Sequence, residues 1–202
     1  DGIFGLQNEW YEDPSQWKTF NQFFARNLKN SEERPIVELD NNSIVVSAAD
    51  AQPQGIWAID NNSMIIEKEG VVVKSMTLYD VKNLIGKESE YKDSFANGTF
   101  THSFLDVGDY HRYHFPLSGV VKEISIIPGE SVSGGYTTWD SENKRYKFDA
   151  SSIAWQAIET RGCVILETEE FGLVALLPIG MWPVSSVNFL AAATASSAAS
   201  SS

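Results

Sequence analysis

The chain has 202 residues, 43% hydrophobic and 12% aromatic, enough for one domain with a proper core. With 15 basic and 27 acidic residues its formal net charge is -12, which on average repels duplex nucleic acid and strongly anionic membrane surfaces and so argues against a nucleic-acid partner. One cysteine, Cys163, cannot form an internal disulfide and points to a reducing compartment, so a soluble cytoplasmic protein is expected. No stretch reaches the ~20 apolar residues of a membrane span, and membrane association is not indicated. The longest apolar run, Phe171 to Val184, is broken by Gly180 and Pro183. The chain starts at Asp1 rather than Met, which leaves an upstream anchor or targeting segment open.

Taken in order, Asp13-Pro14-Ser15-Gln16 predicts a helix start, and Trp17, Phe20, Phe24 and Leu28 continue it as one apolar stripe expected to pack on the main sheet. Arg34-Pro35 ends that segment. Short β-type runs at 44–46, 55–59, 64–67 and 71–74, punctuated by Asp60-Asn61-Asn62 and Glu69-Gly70, predict a small antiparallel meander. Thr77 to Asp80 opens a short helix that ends at Gly86. Strands are expected at 99–105, 110–115, 119–127, 163–167 and 172–179, with 133–152 an irregular surface excursion. Asn41-Asn42-Ser43, Asn61-Asn62-Ser63 and Asn97-Gly98-Thr99 fit the glycosylation acceptor pattern and are read as turns. The fold class is α+β: a mainly antiparallel curved sheet or flattened barrel with short peripheral helices. A single domain is expected over 1–189, with a helical region at 1–35, a β-rich core at 36–189 and an Ala/Ser-rich tail at 190–202.

Asp109 to Pro116 holds two of the three histidines, His111 and His114. Imidazoles transfer protons near neutral pH, so the pair is a candidate acid/base centre, although partly buried histidines or half a metal site are the plainer readings. On a strand, positions three apart face opposite sides, so both serve one site only if the backbone bends. Three other places carry candidate chemistry. Asp50, in Ser47-Ala48-Ala49-Asp50, is either a turn aspartate or an acceptor that orients a histidine. Ser185 and Ser186 follow the Gly180-Met181-Trp182-Pro183 bend, and Lys74 closes a β run as a solvated lysine. Glu and Cys partners at ligand spacing are missing beside His111 and His114, so no metal is expected.

Together these stretches resemble the phosphatidylserine decarboxylase family, pyruvoyl-dependent enzymes that cut themselves. The resemblance rests on Phe20 to Leu28 with Arg34-Pro35, on Ser47 to Asp50, on Asp109 to Pro116 with Gly119 and Ile127-Pro128-Gly129-Glu130, and on Glu169 to Ala175 with the approach to Ser185-Ser186. Ala51 stands where the family usually has glycine. Membrane-lipid members carry Gly-Ser at the cut, whereas Ser185-Ser186 with a Gly180-Met181 opening is closer to soluble relatives that act on free amino acids. The family continues past the reacting serine through a glycine-rich segment, where this chain has only its Ala/Ser tail after Leu190.

The resemblance implies that His114, oriented by Asp50, activates Ser186 to attack Ser185, with cleavage between the two and a covalent pyruvoyl group formed from Ser186. It implies that His111 serves decarboxylation and that Phe115 and Trp182 border the substrate carboxylate. The C-terminal fragment is then a partner, and a homodimer is expected by resemblance alone. The expected reaction removes the carboxylate of an L-amino acid as carbon dioxide; an aromatic substrate is compatible with Trp139, Trp155 and Trp182, although such residues are more often core. Phosphatidylserine is the alternative substrate. A non-maturing binding module on the same fold is the alternative outside enzymology.

Overall fold

The structure, a computed structural model, describes residues 6–38, 40–66, 80–129, 136–142, 144–149, 159–180 and 186–190, with the backbone alone at 136–138 and 145–149. In chain order the elements are α1 (Phe20–Phe24), β1 (Gln52–Ile59), β2 (Ile65–Ile66), α2 (Val81–Ile85), β3 (Thr99–Phe104), β4 (Val120–Ile127), β5 (Tyr136–Asp140), β6 (Arg145–Asp149), β7 (Arg161–Thr168) and β8 (Gly172–Leu176). The fold is α+β. Its described strands form three small sheets, ordered β2-β1-β3, β4-β7-β8 and β5-β6, rather than a closed barrel. Contacts group the chain into two compact units. The first comprises Asp1–Gln54, Ser103–Leu117 and Thr137–Phe148, and the second Gly55–His102, Ser118–Tyr136 and Asp149–Ser202.

The second unit holds an apolar core in which Ile59 and Ile65 meet Leu84, Ile85, Cys163 and Ile165. The unbroken apolar run from Cys163 to Leu166 suits a strand covered on both faces, and β7 is accordingly the central strand of its sheet. It pairs antiparallel with both β4 and β8. As expected, β1 and β2 pair antiparallel around Asp60, whose carboxylate accepts from the N–H groups of Asn62 and Met64 at 2.8 and 2.7 Å. Helix α2 ends at Gly86, whose φ of 101° suits a residue without Cβ. The buried Arg161 guanidinium closes its C-terminal end, donating from Nε to Leu84 O at 2.8 Å and from Nη2 to Asn83 O. The run at 71–74, Lys74 and the start of the second helix at 77–79 lie outside the described residues.

Three expectations are corrected. No helix begins at Asp13: that residue caps only a 3-10 turn, Pro14–Gln16, after which Trp17 is extended. The helix begins instead behind Thr19, whose hydroxyl accepts from Gln22 N–H while the Gln22 side chain returns to Thr19 N–H, a complete capping box that starts α1 six residues later. No residue of α1 is fully buried, and its Phe24 stacks on His111. Second, Tyr136–Asp140 and Arg145–Asp149 form β5 and β6, because the two stretches are rich in aromatic and β-branched residues. Third, 110–115 is not a strand. Side-chain ties to backbone carbonyls, described next, bend it away from ladder pairing.

Candidate active site

The histidine segment opens with a turn. Asp109 N–H donates to Asp106 O at 2.9 Å, and the Asp109 carboxylate accepts from Asp106 N–H at 2.7 Å. His111 Nε2 lies 2.8 Å from Asp106 O. A carbonyl only accepts, so Nε2 carries the proton and locks the ring's tautomer. The ring stacks on Phe24 with centroids 3.6 Å apart and planes at 24°. Burial, with the Arg26 charge adding to it against backbone hydrogen bonds at Asp106 and Val107, lowers the His111 pKa to about 4. At neutral pH this imidazole is uncharged.

His114 is held differently. Its backbone N–H donates to Ala48 O at 2.8 Å, and Val46 N–H donates to Pro116 O at 2.9 Å, which lays the segment along the Ser47–Asp50 stretch. The ring stacks on Tyr110, 5.7 Å between centroids, and Tyr110 is 5% exposed. Nε2 of His114 is buried and has no hydrogen-bond partner among the described residues. Leaving a buried polar atom unpaired costs about 1–3 kcal/mol, which makes it a feature to be explained by use. Burial holds the His114 pKa below its usual 6.5; the Arg34 charge lowers it further and the Asp50 charge opposes both.

Asp50 thus lies within electrostatic reach of His114, but its hydrogen bond goes elsewhere. Its Oδ1 accepts from Arg34 Nε at 2.9 Å, and Arg34 Nη2 donates to Ser47 O at 2.9 Å. Among the described contacts, Asp50 acts on His114 through charge rather than by accepting its ring proton. Replacing Arg34 with Gln should raise the His114 pKa, since a nearby cation is lost while Asp50 remains, and Asp50→Asn should lower it. Histidine NMR titration checks both; equal values in the two variants would contradict the arrangement.

Two arginines that sequence reasoning passed over hold this segment. Arg26, 1% exposed, lies over the rings of Tyr11 and Phe23 at 4.4 and 4.7 Å and donates from Nη2 to Gly108 O at 2.7 Å. Arg112 donates in return to Ala25 O and to Arg26 O, the latter at 3.4 Å, at the end of α1. Their partners lie 82 to 87 residues away in sequence, so local pattern gave no sign of the contacts.

Ser186 belongs to the second unit, whereas Asp50, His111 and His114 belong to the first. Ser186 is exposed, and residues 186–190 have no regular secondary structure. A Cβ built on Gly162 of β7 would fall 2.7 Å from the Phe189 ring and 3.0 Å from Val187, so the stretch after Ser186 rests on that glycine. Gly162 N–H also donates to Pro178 O at 2.8 Å, and Gly180 N–H to Thr160 O at 2.9 Å. The start of β7 thus carries residues on both sides of the expected cut. Ser185 and Trp182 lie outside the described residues, and Phe115 is half-buried.

The chain matches the phosphatidylserine decarboxylase family over residues 20–198 and belongs to that family. Among curated proteins it is similar to phosphatidylserine decarboxylase proenzyme 2 of Oryza sativa subsp. japonica, 30% identical over 187 residues, covering 89% of this chain and 26% of that protein. It is similar also to the phosphatidylserine decarboxylase proenzymes of Vibrio parahaemolyticus, 31% identical over 184 residues, and Hamiltonella defensa, 32% over 185. These alignments cover 91% and 92% of this chain and 57% of each relative. The chain therefore spans little more than half the length of the bacterial relatives. All three relatives are named for the phospholipid, and none for a free amino acid, the substrate expected above.

Proposed function

We propose that the chain is the self-cleaving part of a pyruvoyl-dependent phosphatidylserine decarboxylase, a carboxy-lyase that releases carbon dioxide and leaves phosphatidylethanolamine. Family membership supports the reaction class. The observation in this chain that carries it is the buried, uncommitted Nε2 of His114 on an imidazole whose pKa lies below 6.5. A base of that kind accepts a proton at neutral pH without first surrendering a hydrogen bond.

In this reading His114 Nε2 takes the proton of the Ser186 hydroxyl. The Oγ then bonds to the Ser185 carbonyl carbon, the Ser185–Ser186 C–N bond breaks, and the proton passes to the freed amine. Loss of the Ser186 Cα proton expels Ser185 as a carboxylate, and water replaces the nitrogen of residue 186 as ammonia leaves. The chain suits such a group: Ser186 is an exposed serine next to Val187, which together with Phe189 rests on Gly162. Once formed, the pyruvoyl ketone supplies an electron sink for the departing carboxylate. His111, uncharged and held by Asp106 O and Phe24, is the residue we assign to the decarboxylation step. Phe115 and Trp182 are assigned to the substrate side.

The substrate is tested by supplying the processed protein with phosphatidylserine vesicles and, separately, with tryptophan, tyrosine and serine. Carbon dioxide from the vesicles, together with phosphatidylethanolamine, is expected. Carbon dioxide from a free amino acid alone would overturn the lipid assignment.

A further inference from the structure

We infer that Arg26 and Arg112 are positioning residues for the histidine segment, a reciprocal clasp between the C-terminal end of α1 and residues 108–112. The inference rests on the function proposed above. Each guanidinium crosses to the other element and binds its backbone: Arg26 holds Gly108 O, and Arg112 holds Ala25 O and Arg26 O. The backbone from 110 to 115 has no regular secondary structure, so its course depends on such side-chain ties. The planar fork of arginine spans two carbonyls where the point charge of lysine does not.

The clasp has a direct geometric consequence. Arg112 draws the end of α1 against the segment that carries His111, and Phe24, the last residue of that helix, is the ring stacked on His111. Arg26 fixes the carbonyl two residues before Tyr110, whose ring stacks on His114. Tyr11, beneath the Arg26 guanidinium, lies 6.0 Å from Tyr110 and continues the stack. Both imidazoles are thereby referred to one helix end. Loosening the clasp frees His111 from Phe24 and admits water to its ring. The charges near that ring are Arg26 and the acidic Asp106 and Asp109 of the turn; Arg26 is the one that acts on it. A change on replacing Arg112 thus reports geometry.

The test is histidine NMR titration of the full chain as wild type, Arg112→Gln and Arg112→Lys, with denaturing mass spectrometry of the same samples. In both variants the His111 pKa should climb from about 4 towards 6.5, while His102, in the second unit, keeps its wild-type signal and certifies folding. Self-cleavage should slow by about 10²-fold, the scale of a misplacement of roughly 1 Å. If the Arg112→Gln chains do not fold, Arg26→Lys replaces them, keeping a cation between Tyr11 and Phe23 while weakening the hold on Gly108. Unchanged His111 titration overturns the clasp, as does cleavage at the full wild-type rate in the Arg112→Lys chain. A wild type that never cuts refutes the proposed function but leaves the titration to decide the clasp.

Discussion

The His114→Ala chain is expected to persist as one uncut polypeptide, while His111→Ala is cut normally and then fails to turn over substrate. Removing a positioned general base typically costs 10²–10⁴-fold, enough to turn maturation over hours into none over the life of a preparation. The two histidines separate because their surroundings differ. His114 keeps a buried Nε2 with no partner among the described residues, whereas His111 commits its Nε2 to Asp106 O and its face to Phe24. The pH dependence follows with a definite sign. In the proposed mechanism self-cleavage needs neutral His114, whose pKa is lowered from 6.5, so the midpoint of the rate's decline with falling pH should lie below 6.5. Arg34→Gln should move that decline to higher pH. A His114→Ala chain that splits at the wild-type rate removes this residue from the maturation step.

Ser186→Ala should abolish cutting outright, whereas Ser185→Gly should cut at a rate within a few-fold of wild type. The asymmetry is chemical. Residue 186 supplies the nucleophilic oxygen, for which alanine has no substitute, while residue 185 supplies only a backbone carbonyl that any residue carries. Mass spectrometry under denaturing conditions reads both. A cut Ser186→Ala chain, or an uncut Ser185→Gly chain, would move the junction away from the proposed bond.

Much of the fold is legible where local chemistry and packing agree. Asp60 with its three-residue turn, Gly86 at the end of α2, and the apolar run through β7 each read correctly because the residue that makes the element also satisfies it. Asp13 misled because a good cap can be spent on a single 3-10 turn, and Thr19 with Gln22 offered a better one downstream. The segment 110–115 reads as strand from its alternation. Contacts from Arg26, Ala48 and Asp106, none a ladder partner, decide its course instead.

The candidate site was legible as residues rather than as geometry. Asp50, His111 and His114 were singled out by type and motif, and the structure gathers all three in one compact unit. What sequence did not show is who holds them. Arg34 sits 16 residues from Asp50, and the clasp spans more than 80, so no local period records either. A buried arginine flanked by Tyr11 and Phe23 looks in sequence like any cation among aromatics.

The most direct measurement is the intact mass of the wild-type chain under denaturing conditions, followed by reaction with a carbonyl reagent. Two polypeptides, residues 1–185 and a carbonyl-reactive fragment that starts at position 186, are predicted. One uncut mass with no reactive carbonyl would contradict the account.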